Sequence, residues 1–261
     1  MTILLAGGDS FTYGNELSDC DSKTPSKAAW GAMLAASLNM SYGCVADGGL
    51  SNTSIARHVM IGCTKLLKQN MDVAVAVMWS FPGRYEFRFT YDTMEKNSPW
   101  YSITPWTHET NESIILKTFH NFKKNVFDQY KKNQLQAQIT GVAEFSKMYY
   151  KHVGDNEYWE IYTSLKEILF LQQWLEGKHI PYVFTYVNDI LFKNNTKPDV
   201  NMQILLDGIN SDAFYHFEGF YKWATAKNYP FGTTHPLELA HKHFSQKIVQ
   251  LAQQRLVINN K

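Results

Sequence analysis

The chain reads as an α/β protein built on a parallel sheet, and three observations predict it. Through the first half, short apolar runs alternate with segments of helical periodicity, the order expected of β-α units feeding one sheet. The run Val73-Ala74-Val75-Ala76-Val77-Met78-Trp79 is apolar without alternation, as a strand covered on both faces must be. With 261 residues, 44% hydrophobic and 15% aromatic, and no low-complexity tract, the chain can bury one sizeable core. A single domain over 1–261, carrying an insertion, is therefore expected.

Thr2–Ala6 is the first strand. Thr24-Pro25-Ser26 supplies a cap and a proline tolerated in a first helical turn, so a helix is expected over Ala28–Leu38. Met40–Ala46 reads as the second strand. Ser51 opens the next helix, in which Ile55, Val59, Cys63 and Leu66 recur at helical spacing and make one buried stripe. Val73–Trp79 is the third and central strand. From Phe81 to about Trp106 the chain is rich in aromatics, proline and polar residues, which predicts a loop with a short hairpin. Its rings either wall a substrate site or pack beneath a helical insertion, and packing is the commoner use of large aromatics.

Two long helical patterns follow, Glu112–Lys132 and Ala143–Glu176, the second interrupted at Val153-Gly154-Asp155. They make up the insertion, at about 107–178. Gly177-Lys178-His179 ends it, and Pro181–Val187 returns as a fourth strand. A helix near Val200–Leu206, an edge strand near Ala213–Phe217 and a final helix from Pro236 to Val257 complete the expectation.

Charge excludes several function classes. Lys plus Arg (25) nearly balances Asp plus Glu (24), so no general nucleic-acid or anionic-membrane binder is expected. The densest basic run, Lys117, Lys123, Lys124, Lys131 and Lys132, reads as a solvated helix face. Cys20, Cys44 and Cys63 cannot all pair and show no C-x-x-C spacing, so reduced thiols are expected. His241 and His243 project about 200° apart on a helix and cannot share a metal. His58, His108, His120, His152, His179 and His216 lack ligand spacing and read as surface or capping residues. The N-terminus lacks the pattern of a signal peptide and no run is long enough to span a bilayer, which makes the expected location cytoplasmic. On that reading, the sequons at Asn52, Asn111 and Asn194 have no consequence.

Chemistry concentrates where strands end. Gly8-Asp9-Ser10-Phe11 directly follows the first strand, which puts Ser10 at the carboxyl edge of the sheet, where such folds bind ligands. The glycines permit a tight turn that presents the hydroxyl and leaves the Ser10 amide facing a substrate oxyanion. A serine hydroxyl is a poor nucleophile alone, so a base must come from elsewhere. Two other strand ends fall on the same edge. Ala46-Asp47-Gly48-Gly49-Leu50-Ser51-Asn52 offers a glycine amide, and Trp79-Ser80-Phe81-Pro82-Gly83-Arg84 offers side-chain donors. Gly232-Thr233-Thr234-His235-Pro236, just before the last helix, offers a loop histidine that can reach Ser10 as general base. Asp9 is suited to organising the turn through backbone amides rather than to serving as the acid. The bland alternative for Ser10 is a helix cap or a phosphate-cradling turn.

Gly-Asp-Ser near the N-terminus, Gly at the end of the second strand and His-Pro before the final helix together resemble the SGNH, or GDSL-type, hydrolases, in order and interval over nearly the whole chain. The resemblance implies a three-layer α/β/α, flavodoxin-like fold with strand order 2-1-3-4-5 and esterase, lipase, thioesterase or carbohydrate-deacetylase activity with no metal or other cofactor. It implies Ser10 as nucleophile and first oxyanion amide, Gly49 as second donor and His235 as base. The expected partner is a small-molecule or carbohydrate ester.

The chain departs from the pattern twice. In place of a Gly-x-Asn-Asp block it has Trp79-Ser80-Phe81-Pro82, so Ser80 or Arg84 is the candidate third donor, with Arg84 pairing to Glu86 or a core carbonyl as the plain alternative. Gly232 and Thr233 occupy the positions where the family carries its acid. A threonine hydroxyl, a backbone carbonyl, or a distant acid such as Asp189 or Asp212 would then orient His235, with Asp9, Asn52, Thr233 and Asp189 as supporting residues. Loss of these features also leaves open a non-catalytic binding or structural module on the same fold, and a phosphate or nucleotide binder using Gly7-Gly8.

Overall fold

The computed structural model describes residues 2–21, 23–88, 100–107, 137, 140–193 and 199–256. The chain forms two compact units, one of Met1–Pro82 with Ile161–Lys261 and one of Gly83–Glu160.

The first unit is organised by four parallel strands, β1 (Ile3–Gly7), β2 (Ser41–Cys44), β3 (Val73–Trp79) and β6 (Tyr182–Tyr186), in the order β2-β1-β3-β6. Strand β1 is central and pairs Leu4 with both Tyr42 and Ala74. Side chains alternate across β3: Val73, Val75, Val77 and Trp79 enter one core, and Ala74, Ala76 and Met78 the other. The first core is covered by α3 (Asn52–Lys68), through Ile55, Val59 and Cys63, and by Leu165, Ile168, Leu171 and Leu175 of α5 (Glu157–Gly177). The second is covered by α2 (Trp30–Ser37), α7 (Phe220–Ala226) and α8 (Glu238–Leu256), through Trp30, Leu34, Phe220, Phe244 and Ile248. Three layers result, because a parallel sheet hides both faces. All seven residues of β3 are buried, in agreement with its continuous apolar run.

Several local expectations are corrected. The helix expected from Ala28 begins at Trp30, with no side-chain cap at Ala29. Ser26 is turned elsewhere: its hydroxyl donates to Asp19 and accepts from the Ala28 amide, and so clamps the preceding turn. The edge strand expected near Ala213–Phe217 is a 3-10 turn (Ser211–Ala213) followed by a single parallel bridge, Phe184 to Phe214. The fifth place in the sheet thus holds one residue pair. At the end of α5 the left-handed position is His179 (φ 54°), not Gly177.

Helix α3 is capped as the sequence suggests, with the Ser51 hydroxyl accepting from the Ser54 amide. Helices α6 (Val200–Gly208) and α8 match the expected segments within two residues at each end. The three cysteines are free thiols. Asn52 is buried, so the first sequon is closed to glycosylation. No helix among the described residues is long and apolar enough to cross a membrane. No cluster of metal-ligating side chains occurs among them either. Asn111, Asn194, the basic run 117–132 and the helix expected over Glu112–Lys132 lie outside the described residues.

In the second unit, β4 (Tyr85–Arg88) pairs antiparallel with β5 (Trp100–Ile103), the hairpin expected within the aromatic loop. Helix α4 (Val142–Tyr149) runs into a π-helical turn (Tyr150–Gly154), so the helical pattern is interrupted where glycine was expected to interrupt it. The hairpin's rings pack on this helix, Tyr85 stacked on Tyr149 at 4.7 Å and Phe87 against Phe145 at 5.3 Å. The Tyr150 hydroxyl donates to the Gly83 and Ile103 carbonyls, tying the hairpin's ends together.

Candidate active site

The residue after β1 decides how Ser10 is presented. Gly8 has φ 157°, and a side chain there would overlap Thr12 and press on the Met78 carbonyl. Only glycine lets the strand turn this tightly into a short helix, α1 (Ser10–Tyr13). A side chain at Gly7 would overlap Val59 of α3, so its absence serves helix–sheet packing. Asp9 caps α1, accepting from the Phe11 amide at 3.1 Å.

Three strand ends are stitched together behind this turn. The Ser80 hydroxyl, at the end of β3, donates to Asp9 Oδ2 at 2.5 Å. The Ser80 amide donates to Asn52 Oδ1 at 2.8 Å, and the Asn52 amide group donates to the Ser80 carbonyl (3.3 Å) and to Ser164 Oγ (3.0 Å). Asp9, Ser80 and Asn52 are all buried. Each buried polar atom thus has a partner, and the network holds the Ser10 turn at a fixed height above the sheet.

In front of the turn, His235 Nε2 lies 2.8 Å from Ser10 Oγ. The imidazole is 13% exposed and leans on the Phe11 ring at 4.7 Å. Its other nitrogen, Nδ1, stands 2.9 Å from Glu16 Oε1 and 2.8 Å from Thr234 Oγ1. The Glu16 carboxylate also accepts from the Thr234 hydroxyl at 2.7 Å and from the Thr234 amide at 3.1 and 3.2 Å. Partial burial raises the Glu16 pKa, but the hydrogen bonds from His235 and Thr234 outweigh it and bring the carboxyl down to about 2. A second strap runs beside the first, from the Ser18 amide to Glu238 at 2.8 Å.

The sequence-derived candidates divide clearly. Ser10 and His235 are brought into hydrogen-bond contact. Gly49 (φ 77°) sits in the loop after β2, at the same end of the parallel sheet as Ser10. Ser80 and Asn52 brace the turn, with the Ser80 hydroxyl already given to Asp9. Thr234, not Thr233, supplies the hydroxyl at Nδ1. Asp189 pairs with Lys222 at 3.7 Å, and Asp212 lies in the 3-10 turn at Ser211–Ala213. Arg84 belongs to the second unit, where its guanidinium stands over the Trp106 ring at 5.8 Å. Sequence reasoning missed Glu16 altogether, for no local spacing connects it with a histidine 219 residues away.

No protein-family model and no curated protein matches the chain. Among solved structures, it is similar to an acetyl xylan esterase (Est2A) from the rumen bacterium Butyrivibrio proteoclasticus, with a TM-score of 0.49 and 12% identity, over 97% of this chain and 63% of that one. It is also similar to a carbohydrate esterase family 2 enzyme from Corynascus thermopiles (TM-score 0.43, 10% identity, 96% and 65% of the two chains). A member of the lipolytic protein G-D-S-L family from Veillonella parvula matches over 100% of both chains (TM-score 0.39, 11% identity). The chain spans less than two thirds of either esterase's length, and likeness at this level says nothing of substrate or activity. The solved structures it resembles are thus two carbohydrate-directed esterases and a lipolytic protein of the G-D-S-L family.

Proposed function

We propose that this chain is a serine ester hydrolase acting on a small acyl or acetyl ester, including one carried on a carbohydrate. The observation that carries the proposal is the 2.8 Å contact between Ser10 Oγ and His235 Nε2 at the carboxyl edge of the sheet. Ser10 Oγ attacks the ester carbonyl carbon while its proton passes to His235 Nε2. The carbonyl oxygen becomes an oxyanion, stabilised by the backbone amides of Ser10 and Gly49. The carbon–oxygen bond to the leaving alcohol then breaks, and His235 returns the proton to that oxygen. Water attacks the acyl-enzyme with His235 again taking a proton, and the carboxylic acid leaves as Ser10 is restored. Ser80 acts through Asp9 rather than on the oxyanion, and Arg84 is assigned no step.

Purified protein treated with a fluorophosphonate probe is expected to be labelled at Ser10 and to turn over p-nitrophenyl acetate. Ser10→Ala should abolish both, and His235→Ala should slow both by several powers of ten. An unreactive Ser10 in a folded protein would refute the proposal and favour the non-catalytic binding module, motivated by the missing acid and the missing asparagine, of which the carboxylate at Nδ1 weakens the first.

A further inference from the structure

We infer that Glu16 is the positioning acid of this site, holding His235 with its ring proton on Nδ1 and its Nε2 lone pair on the Ser10 hydroxyl. The inference rests on the serine-hydrolase reading and adds a residue that lies outside the resemblance. It follows first from the geometry of one ring. Glu16 Oε1 is 2.9 Å from Nδ1 while Ser10 Oγ is 2.8 Å from Nε2, so both nitrogens are engaged at once. An ionised carboxylate can only accept, so Nδ1 must donate to it. In the neutral ring this leaves Nε2 unprotonated, the state in which it can take the Ser10 proton. When that proton arrives, the imidazolium forms directly beside a negative charge. Glu16 itself neither gains nor loses a proton through the cycle.

The backbone agrees. Glu16 sits at φ 69°, a left-handed conformation that a non-glycine residue holds only when its surroundings over-determine it. Here three hydrogen bonds from Thr234 fasten the carboxylate. Gly232 supplies a third, independent observation. A side chain at Gly232 would overlap the Glu16 carboxylate. A side chain at position 232 would therefore have to push the Glu16 carboxylate from its place. The chain leaves that position bare, and the carboxylate enters from the loop that follows the nucleophile.

The same overlap defines the test. In the full chain, Glu16→Gln, Glu16→Ala and the doubles Glu16→Ala/Gly232→Asp and Glu16→Ala/Gly232→Asn are compared with the parent and with Ser10→Ala, each checked for folding by thermal unfolding. Two readouts are taken: the rate of fluorophosphonate labelling, and the His235 tautomer from long-range 1H–15N correlation spectra. Glu16→Gln is expected to slow labelling about 10³- to 10⁴-fold, as removal of the orienting charge does in serine proteases. Gly232→Asp, set into the space vacated in Glu16→Ala, should recover much of that loss, whereas Gly232→Asn should not. The parent spectrum should show the proton on Nδ1, with Glu16→Ala shifting it toward Nε2.

Labelling of Glu16→Gln at the parental rate, or equal rescue by Asn and Asp, would mean a neutral brace and overturn the inference. A parent protein whose His235 carries its proton on Nε2 would overturn it too, whether or not the protein reacts. A parent that is unlabelled at Ser10 yet shows the Glu16-dependent tautomer would remove the hydrolase reading while supporting the role of Glu16 in holding the ring.

Discussion

His241 should make the protein lose stability in mild acid, by an amount that can be worked out from its surroundings. The residue lies in α8 and is 1% exposed, with Nδ1 accepting the Trp30 amide at 3.1 Å and the Phe220 ring 4.9 Å away. Burial lowers its pKa from 6.5 to about 4, although a hydrogen bond to the Pro236 backbone and the nearby Glu238 pull the other way. The native state therefore resists a proton that the unfolded chain accepts. Stability is complete above pH 6.5 and is lost as pH falls toward 4. With those two pKa values, linkage gives a loss of about 2 kcal/mol between pH 8 and pH 5.

The perturbation that isolates this term is His241→Asn, which keeps an acceptor near the Trp30 amide and removes the titration. Urea unfolding of both proteins at pH 8 and pH 5 gives the difference of differences. His216, whose pKa burial also lowers, titrates in both proteins and cancels. The Glu16 carboxyl, at about 2 when folded, contributes only below pH 4.5 and lies outside the window. The stability gap between parent and variant should shift by about 2 kcal/mol between the two pH values. A gap that does not change with pH would refute the reasoning, since His241 would then take up a proton equally well in both states.

Three further expectations concern the site's frame. Asn52→Ala leaves the Ser80 amide and carbonyl and Ser164 Oγ without their buried partner, and should cost about 2–4 kcal/mol in urea unfolding. Gly8→Ala forces a methyl against Thr12 and the Met78 carbonyl at an unfavourable φ, and should destabilise the protein by at least about 2 kcal/mol by the same measurement. Gly232→Ala displaces the Glu16 carboxylate on a partly exposed loop, so labelling at Ser10 should fall at least about tenfold, with a thermal midpoint within a few degrees of the parent.

What could be read from the sequence was whatever is written locally. The apolar run of β3 announced a strand buried on both sides, and Ser51 announced a helix start, because their partners lie within a few residues or are generic core. Ser10, Gly49 and Ser80 could be placed at one sheet edge because strand ends in a parallel sheet share a direction, and His235 could be named because it lies in a loop just before the last helix. Where the deciding partner is remote, residue type misled. Ser26 has the chemistry of a cap but bonds Asp19, and Ser80 has the chemistry of an oxyanion donor but bonds Asp9, 71 residues earlier. Glu16 carries no local signal of its part in the site. Its role depends on Thr234 and His235 arriving from the far end of the chain, which no periodicity encodes.

That arrival has a consequence for biosynthesis. Ser10 and Glu16 are made close together, but the imidazole that would activate Ser10 lies 225 residues later. Closing so large a loop is entropically costly, and it cannot happen before His235 itself has been made. A nascent or truncated chain would therefore expose a serine without a base, inert toward cellular esters until the last helix docks. Reactivity at Ser10 would then serve as a built-in reporter of completed folding, visible in a pulse-labelled translation reaction only after residue 235 has cleared the ribosome.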